Sequence, residues 1–212
     1  MNGRADPAAF RAALIEIRPD VVAAQELGPN AAEVMATEFP HGRLEPSMSY
    51  NGVGIATRRP APVDIFELPF RNGLIAHLGR DGWPDLMRSM DLVNVHLRNP
   101  LERPLGATRR IRRAQIAAIV RHVASAASPI AVVGDLNASP MWPAYRQLIR
   151  VVRDGVHDTG STHRTWGPTW WMPRMLRIDH VLVRGGVRVT AARPVRIRGT
   201  DHSGLVVDVE VT

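Results

Sequence analysis

No cysteine and no lysine occur among the 212 residues. Without cysteine there is no disulfide framework, no thiolate-ligated zinc site, no iron–sulfur cluster and no cysteine nucleophile. Long apolar runs are missing too. A membrane span needs roughly 20 consecutive apolar residues, and the most apolar stretch, residues 116–133, is interrupted by Arg121 and His122. The opening Met1-Asn2-Gly3-Arg4-Ala5-Asp6-Pro7 lacks the basic start and apolar stretch of a secretory leader. The sequence therefore predicts a soluble, cytoplasmic, monomeric protein with no membrane span.

What is present is ordinary for a globular protein, except in charge. Hydrophobic residues make up 45% and charged residues 22%, enough for one domain over residues 1–212. All 27 basic residues are arginine, against 20 acids, for a net charge of +7. Guanidinium is a bidentate phosphate donor, so this balance suits a phosphate-bearing partner. A genome-wide codon bias gives the same composition.

Short β-branched runs alternate with a few amphipathic helices. Asp6-Pro7 reads as a helix cap followed by proline in the first turn. The helix carries Phe10, Leu14 and Ile17 and stops before Pro19. Further helices are predicted over residues 29–37, 108–124 and 142–152. Strands are predicted over residues 20–26, 52–57, 63–68, 74–78, 90–97, 130–134, 178–184, 187–191 and 205–211. Strict strand–helix alternation is rare. That argues for a four-layer α-β-β-α sandwich: two mixed sheets face to face, with helices outside.

The polar residues sit at the edges of these strands. Glu26, His96 and Asp135 close three of them, with Asn137 two residues beyond the last. Asp179 opens one strand, and Asp201-His202 precede another. In a mixed sheet, the ends of strands running one way share a rim with the starts of strands running the other. All these groups can meet on one rim. Converging carboxylates repel unless protons or a cation relieve them. Oxygen ligands without thiolate favour Mg²⁺ or Mn²⁺, and such an ion suits a phosphoryl substrate.

The set, in this order, resembles the endonuclease/exonuclease/phosphatase superfamily of DNase I-like enzymes. The matching blocks are Pro19-Asp20-Val21-Val22-Ala23-Ala24-Gln25-Glu26, Val93-Asn94-Val95-His96-Leu97, Val132-Val133-Gly134-Asp135-Leu136-Asn137-Ala138-Ser139-Pro140, Arg177-Ile178-Asp179-His180-Val181-Leu182 and Thr200-Asp201-His202-Ser203-Gly204. The resemblance implies a DNase I-like fold. It implies a divalent-metal-dependent phosphoester hydrolase, foremost a phosphodiesterase or endonuclease, in which an activated water attacks in line. Glu26 and Asp201 would serve the metal, Mg²⁺ or Mn²⁺. Asp135 would orient or deprotonate the water, with Asn137 beside it. Asp179 would pair with His202 and keep the imidazole cationic. His96 would donate to a phosphate oxygen.

Family members begin with a core strand ending in Asn, whereas this chain starts at Met1-Asn2-Gly3, where that strand has already ended. Asn2 corresponds to the turn after the family Asn. The expectation is a sandwich with its N-terminal core strand missing, from an upstream start or from loss of the strand.

The substrate is less legible. Trp170 and Trp171, in a Gly- and Pro-flanked loop with Trp166, read either as loop anchors or as a wall for a base or a lipid tail. Arg98 is placed for phosphate contact. Arg109, Arg110, Arg112 and Arg113 read either as a solvated helix face or as a track for a nucleic-acid backbone. A phosphatase or a lipid phosphodiesterase, acting on an inositol phosphate or a sphingomyelin-like substrate, would use the same residues. A third reading is a truncated, impaired relic that binds a partner.

Overall fold

The structure, a computed structural model, describes residues 5–212. Asn2 lies outside the described residues. Helix α1 (Pro7–Ile17) is capped by the Asp6 carboxylate, which accepts from the amides of Ala8 and Ala9. It ends at Arg18 in the left-handed region, φ 52°, one residue before Pro19. Then follow β1 (Val21–Gln25), α2 (Pro29–Glu38), β2 (His41–Glu45), β3 (Val53–Thr57), β4 (Val63–Phe66), β5 (Gly73–Leu78) and β6 (Met90–His96). Next are α3 (Leu105–Ser125), β7 (Ile130–Asp135), α4 (Pro143–Leu148), β8 (Arg153–Asp154), α5 (Gly155–Asp158), β9 (Asp179–Arg184), β10 (Val187–Arg196) and β11 (Ser203–Val211).

Three apolar clusters define the layering. In the first, Ile116, Ile119 and Val123 of α3 pack on Val93, Val95, Val132 and Leu182 of a six-stranded sheet. That sheet has the order β4-β5-β6-β7-β9-β8. It is mixed, because β6 and β7 run parallel and its other pairs are antiparallel. The alternate residues of the same strands, Leu92, Ala131, Val181 and Val183, face the other way and meet Ile55 of β3, Val189 of β10 and Val211 of β11 in the second cluster. This is the inward–outward alternation a strand buried on both faces requires. The third cluster seats Phe10, Leu14, Ala31 and Met35 of α1 and α2 on Ala24 and Ala56. Helix, sheet, sheet, helix is the expected sandwich.

The second β layer is in two parts among the described residues, β1-β3-β2 and β10-β11. The free edges of β1 and β11 face one cavity of about 270 Å³, lined by Val22, Ala24, Val133, Val181, Leu205 and Val207 among others. The strand expected from the resemblance is not among the described residues.

Several local readings need correction. β2 was not predicted; its sequence His41-Gly42-Arg43-Leu44-Glu45 is exposed or half-buried throughout and carries no alternation. α4 ends at Leu148, because the amides of Val151 and Val152 turn back onto the Leu148 carbonyl. α3 begins at Leu105, three residues earlier than its apolar period suggests. β10 runs on to Arg196 past a bulge between Val189 and Ala191, and Pro194 lies within it.

Candidate active site

The sheet registers assemble the site. His96, Asp135 and Asp179 stand side by side on β6, β7 and β9, since His96 pairs with Asp135 and Asp135 with Asp179. By alternation they share the face of Leu92, Ala131 and Val181, which looks toward the second layer. Glu26, just after β1, and His202, just before β11, meet them from that layer. Gly134 is required at its place: a Cβ there would sit 2.0 Å from the Val95 carbonyl oxygen, and its φ is 128°. Glu26 and Asn137 both adopt left-handed backbone, φ 51° and 46°.

Hydrogen bonds fix each side chain. Asp135 Oδ1 accepts from the Asn137 amide at 2.6 Å, and its Oδ2 accepts from Asn137 Nδ2 at 3.0 Å. Asn137 Nδ2 also donates to the Leu97 carbonyl at 3.0 Å. His202 Nδ1 lies 2.9 Å from Asp179 Oδ2. Arg71 Nη1 is 2.7 Å from His96 Nδ1. Arginine has only donors, so Nδ1 accepts and the ring proton sits on Nε2. That Nε2 faces Asp135 Oδ2 at 3.5 Å and Glu26 Oε1 at 3.8 Å.

Burial and crowding set the charges. Burial raises the Asp135 carboxyl, and the facing Asp179 carboxylate raises it further, to about 7. Burial, with Asp201 adding to it, raises Glu26 above the ordinary carboxylate range. Burial, with the Arg71 cation, holds His96 well below its ordinary value, so the ring is neutral at neutral pH. Burial also opposes the charge on His202, but the Asp179 carboxylate outweighs it and lifts the imidazole to about 9. In return His202 and the Thr165 hydroxyl hold Asp179 below the ordinary range against its burial. The site therefore sets one cationic imidazole among three crowded carboxyls, two of them reluctant to ionise.

That reluctance is the electrostatic demand a bound cation meets. Ligand atoms of Asp135, Asp179 and His202 lie within 4.8 Å of one another. While His202 is protonated it is no ligand, and the groups left around it, the carboxyls of Glu26, Asp135, Asp179 and Asp201, are all oxygen donors. The residues fit a hard divalent ion.

The other predicted residues lie nearby in different states. Asp201 Oδ2 accepts from Trp166 Nε1 at 3.2 Å. Trp166 is thus the anchor of its loop, while Trp170 and Trp171 are 50% and 65% exposed. Arg98 is buried; its guanidinium pairs with Glu102 at 2.7 Å and lies 4.1 Å over the Phe70 ring. Arg112 is not on a solvated face. It is buried and donates to the carbonyls of Arg98, Leu136 and Asn137, tying the β6 and β7 ends together.

Sequence reasoning missed Arg71, Asn94 and Thr165 and gave Arg112 the wrong role. Asn94 Nδ2 bridges the layers by donating to the Ala24 and Gly54 carbonyls, both at 2.9 Å. Its signal was present: a polar residue between Val93 and Val95 with the same parity as His96. Arg71 gave none, since Pro69-Phe70-Arg71-Asn72 carries no strand pattern; the strand predicted over residues 63–68 ends at Phe66, before the loop.

The fold and the rim define a class, a four-layer α/β sandwich with a carboxylate–imidazole pocket. The sequence model of the Endonuclease/Exonuclease/phosphatase family matches residues 1–202, and the chain belongs to that family. The family comprises phosphoester hydrolases dependent on divalent metals. Among solved structures it is similar to the endonuclease/exonuclease/phosphatase from Bacteroides vulgatus, with 17% identity, TM-score 0.76, and coverage of 97% of this chain and 91% of that one. It is similar to D. rerio TDP2 complexed with a single-strand DNA product, at 18% identity, TM-score 0.71, and coverage of 96% and 92%. The 3′ phosphatase NExo from Neisseria, bound to a product DNA hairpin, shares 18% identity at TM-score 0.68 over 96% and 93% of the two chains. No curated protein matches the chain.

Proposed function

We infer that the protein is a divalent-metal-dependent phosphodiesterase whose substrate is a nucleic acid. The observation that carries this is the row His96–Asp135–Asp179 with the His202 cation held against it. An in-line displacement needs an oriented water, neutralisation of the non-bridging oxygens and help for the leaving oxygen. Asp135, with a carboxyl near 7, accepts the proton of the attacking water. Asn137 Nδ2, bonded to Asp135, holds that carboxylate in place beside the nucleophile. The imidazolium of His202, oriented by Asp179, offsets charge on the phosphate. His96 donates its Nε2 proton to a phosphate oxygen. Glu26, with Asp201, would hold Mg²⁺ or Mn²⁺; when bound, such an ion supplies Lewis-acid charge to the phosphoryl oxygens. The P–O bond to the leaving group breaks as the water oxygen bonds to phosphorus. Trp170 and Trp171, exposed on the loop that precedes Asp179, would contact the substrate, and Arg98 would reach it only on leaving Glu102. The paired Asp135–Asn137 and Asp179–His202 side chains favour an active enzyme over a relic.

Hydrolysis of bis(p-nitrophenyl) phosphate and of p-nitrophenyl phosphate, with Mg²⁺ or Mn²⁺ and then with EDTA, tests this. The diester is cleaved, the monoester is spared, and EDTA stops the reaction. Cleavage of the monoester alone would make the protein a phosphatase. Glu26→Gln is expected to raise the metal concentration for half-maximal rate on the order of tenfold to 100-fold, as loss of a metal-site carboxylate or its support does. An unchanged metal requirement would remove Glu26 from the site.

A further inference from the structure

Next to the site one residue breaks a backbone rule. Phe70 has φ 79°, a conformation that bulky L-residues avoid. It is not relaxed away because both flanks are fixed. Leu68 is buried in the α3-facing core. The Pro69 carbonyl accepts from Gln115 Nε2 at 3.0 Å, and Gln115 is fully buried. On the far side Gly73 packs so closely that a Cβ would meet the Asn94 carbonyl oxygen at 2.4 Å. The strain presents an apolar ring to solvent: Phe70 is 49% exposed. Burial does not explain such a ring, and strain held by anchored flanks concentrates at ligand contacts.

Its neighbours tie the ring to the chemistry. The Arg98 guanidinium lies 4.1 Å from the ring centroid and that of Arg71 5.3 Å. Arg71 is the residue bonded to His96. The buried Nε–H groups of Arg71 and Arg98 have no acceptor among the described residues. An aromatic face beside two guanidinium groups suits a planar, electron-rich ring attached to a phosphate.

We propose that Phe70, backed by Arg98 and set beside the Arg71–His96 pair, is a stacking platform for the nucleobase next to the scissile phosphate. This rests on the phosphodiesterase reading and gives it a substrate class: unstacked bases of a single strand. The pairing of strain with exposure gives a signature that a packing role lacks. Phe70→Gly removes the ring and also removes the conformational penalty at that position.

Binding is measured on the Asp135→Asn chain, where cleavage does not interfere, with a fluorescent single-stranded 12-mer and with the same backbone carrying abasic sites. Adding Phe70→Gly is expected to weaken binding of the 12-mer about tenfold, the scale of one lost base stack, and to leave the abasic strand unchanged. Phe70→Tyr retains the affinity. The melting temperature of Phe70→Gly equals or exceeds that of its parent. Equal weakening for both strands, no weakening, or a fall in melting temperature would overturn the proposal. Failure of the phosphodiesterase reading shows separately, as absence of metal-dependent hydrolysis of bis(p-nitrophenyl) phosphate by the unmutated chain.

Discussion

Asp135→Asn lowers turnover on a phosphodiester by about 10²- to 10⁴-fold, the range lost with a positioned general base. Asn is close to isosteric, so the Asn137 backbone amide keeps its acceptor on Oδ1 and the fold survives. The proton acceptor goes, and with it the Oδ2 acceptor of Asn137 Nδ2, which keeps the Leu97 carbonyl. The pH profile separates this from a structural effect. In the unmutated chain the acid limb belongs to Asp135, because burial and Asp179 raise it to about 7. The active form is the carboxylate, so rate rises as pH climbs through that value. The alkaline limb belongs to His202, lifted to about 9 by Asp179. The active form is the imidazolium, so rate falls above it. Asp135→Asn removes the acid limb and keeps the alkaline one. Raising the metal concentration shifts the acid limb downward, since a cation favours the carboxylate form. A profile in which the acid limb persists in Asp135→Asn would assign it elsewhere.

The second large effect concerns stability and lies outside the reacting groups. Asp154→Ala is expected to cost about 3–5 kcal/mol, the scale for breaking a buried ion pair from one side. Asp154 Oδ2 accepts from Arg177 Nη1 at 2.7 Å and from the Tyr145 hydroxyl at 2.6 Å, while Oδ1 caps α5 through the His157 amide at 3.0 Å. Arg177 and Tyr145 are both buried. Burial opposes ionisation of Asp154, but the facing His180 ring, the bonds from Tyr145 and the His157 amide, and the Arg177 charge outweigh it and hold the carboxyl far below the ordinary range. Burial and that same carboxylate push the Tyr145 hydroxyl up to about 12. A depressed carboxyl stabilises the fold above its unfolded value, near 3.9, and loses that contribution as pH falls toward the folded one. Urea unfolding at pH 7 should show a lower midpoint at unchanged slope. The double variant Asp154→Ala, Arg177→Met should recover part of the loss, because no charge is then stranded. Arg177 stands two residues before Asp179, so this cluster also anchors the strand that carries the Asp179–His202 pair.

The legible part of the fold was the part written in period and punctuation. Asp6-Pro7 and Pro19 bound α1 because a cap and a proline act locally. β6, β7 and β9 announced themselves as β-branched runs because both of their faces are buried. The site residues were legible because each ends or begins such a run, and strand direction then puts them on one rim. Arg71 was not legible, since its place depends on a loop whose conformation is set by Gln115, 44 positions further along the chain. Arg112 hid in a run of four arginines, where helical spacing cannot tell which one turns inward to the β6 and β7 carbonyls. β2 and β8 lacked any pattern because one is an exposed edge and the other has two residues. What the sequence conceals is long-range hydrogen bonding by single polar side chains.

The central claim is that the carboxylate–imidazole rim hydrolyses a phosphodiester with a divalent ion. Cleavage of circular single-stranded DNA in Mg²⁺ tests it most directly, with the unmutated chain beside Asp135→Asn and with EDTA as the control. The expected result is linear and shorter products from the unmutated chain alone, and none after EDTA. Equal cleavage by Asp135→Asn, or cleavage that survives EDTA, would contradict it.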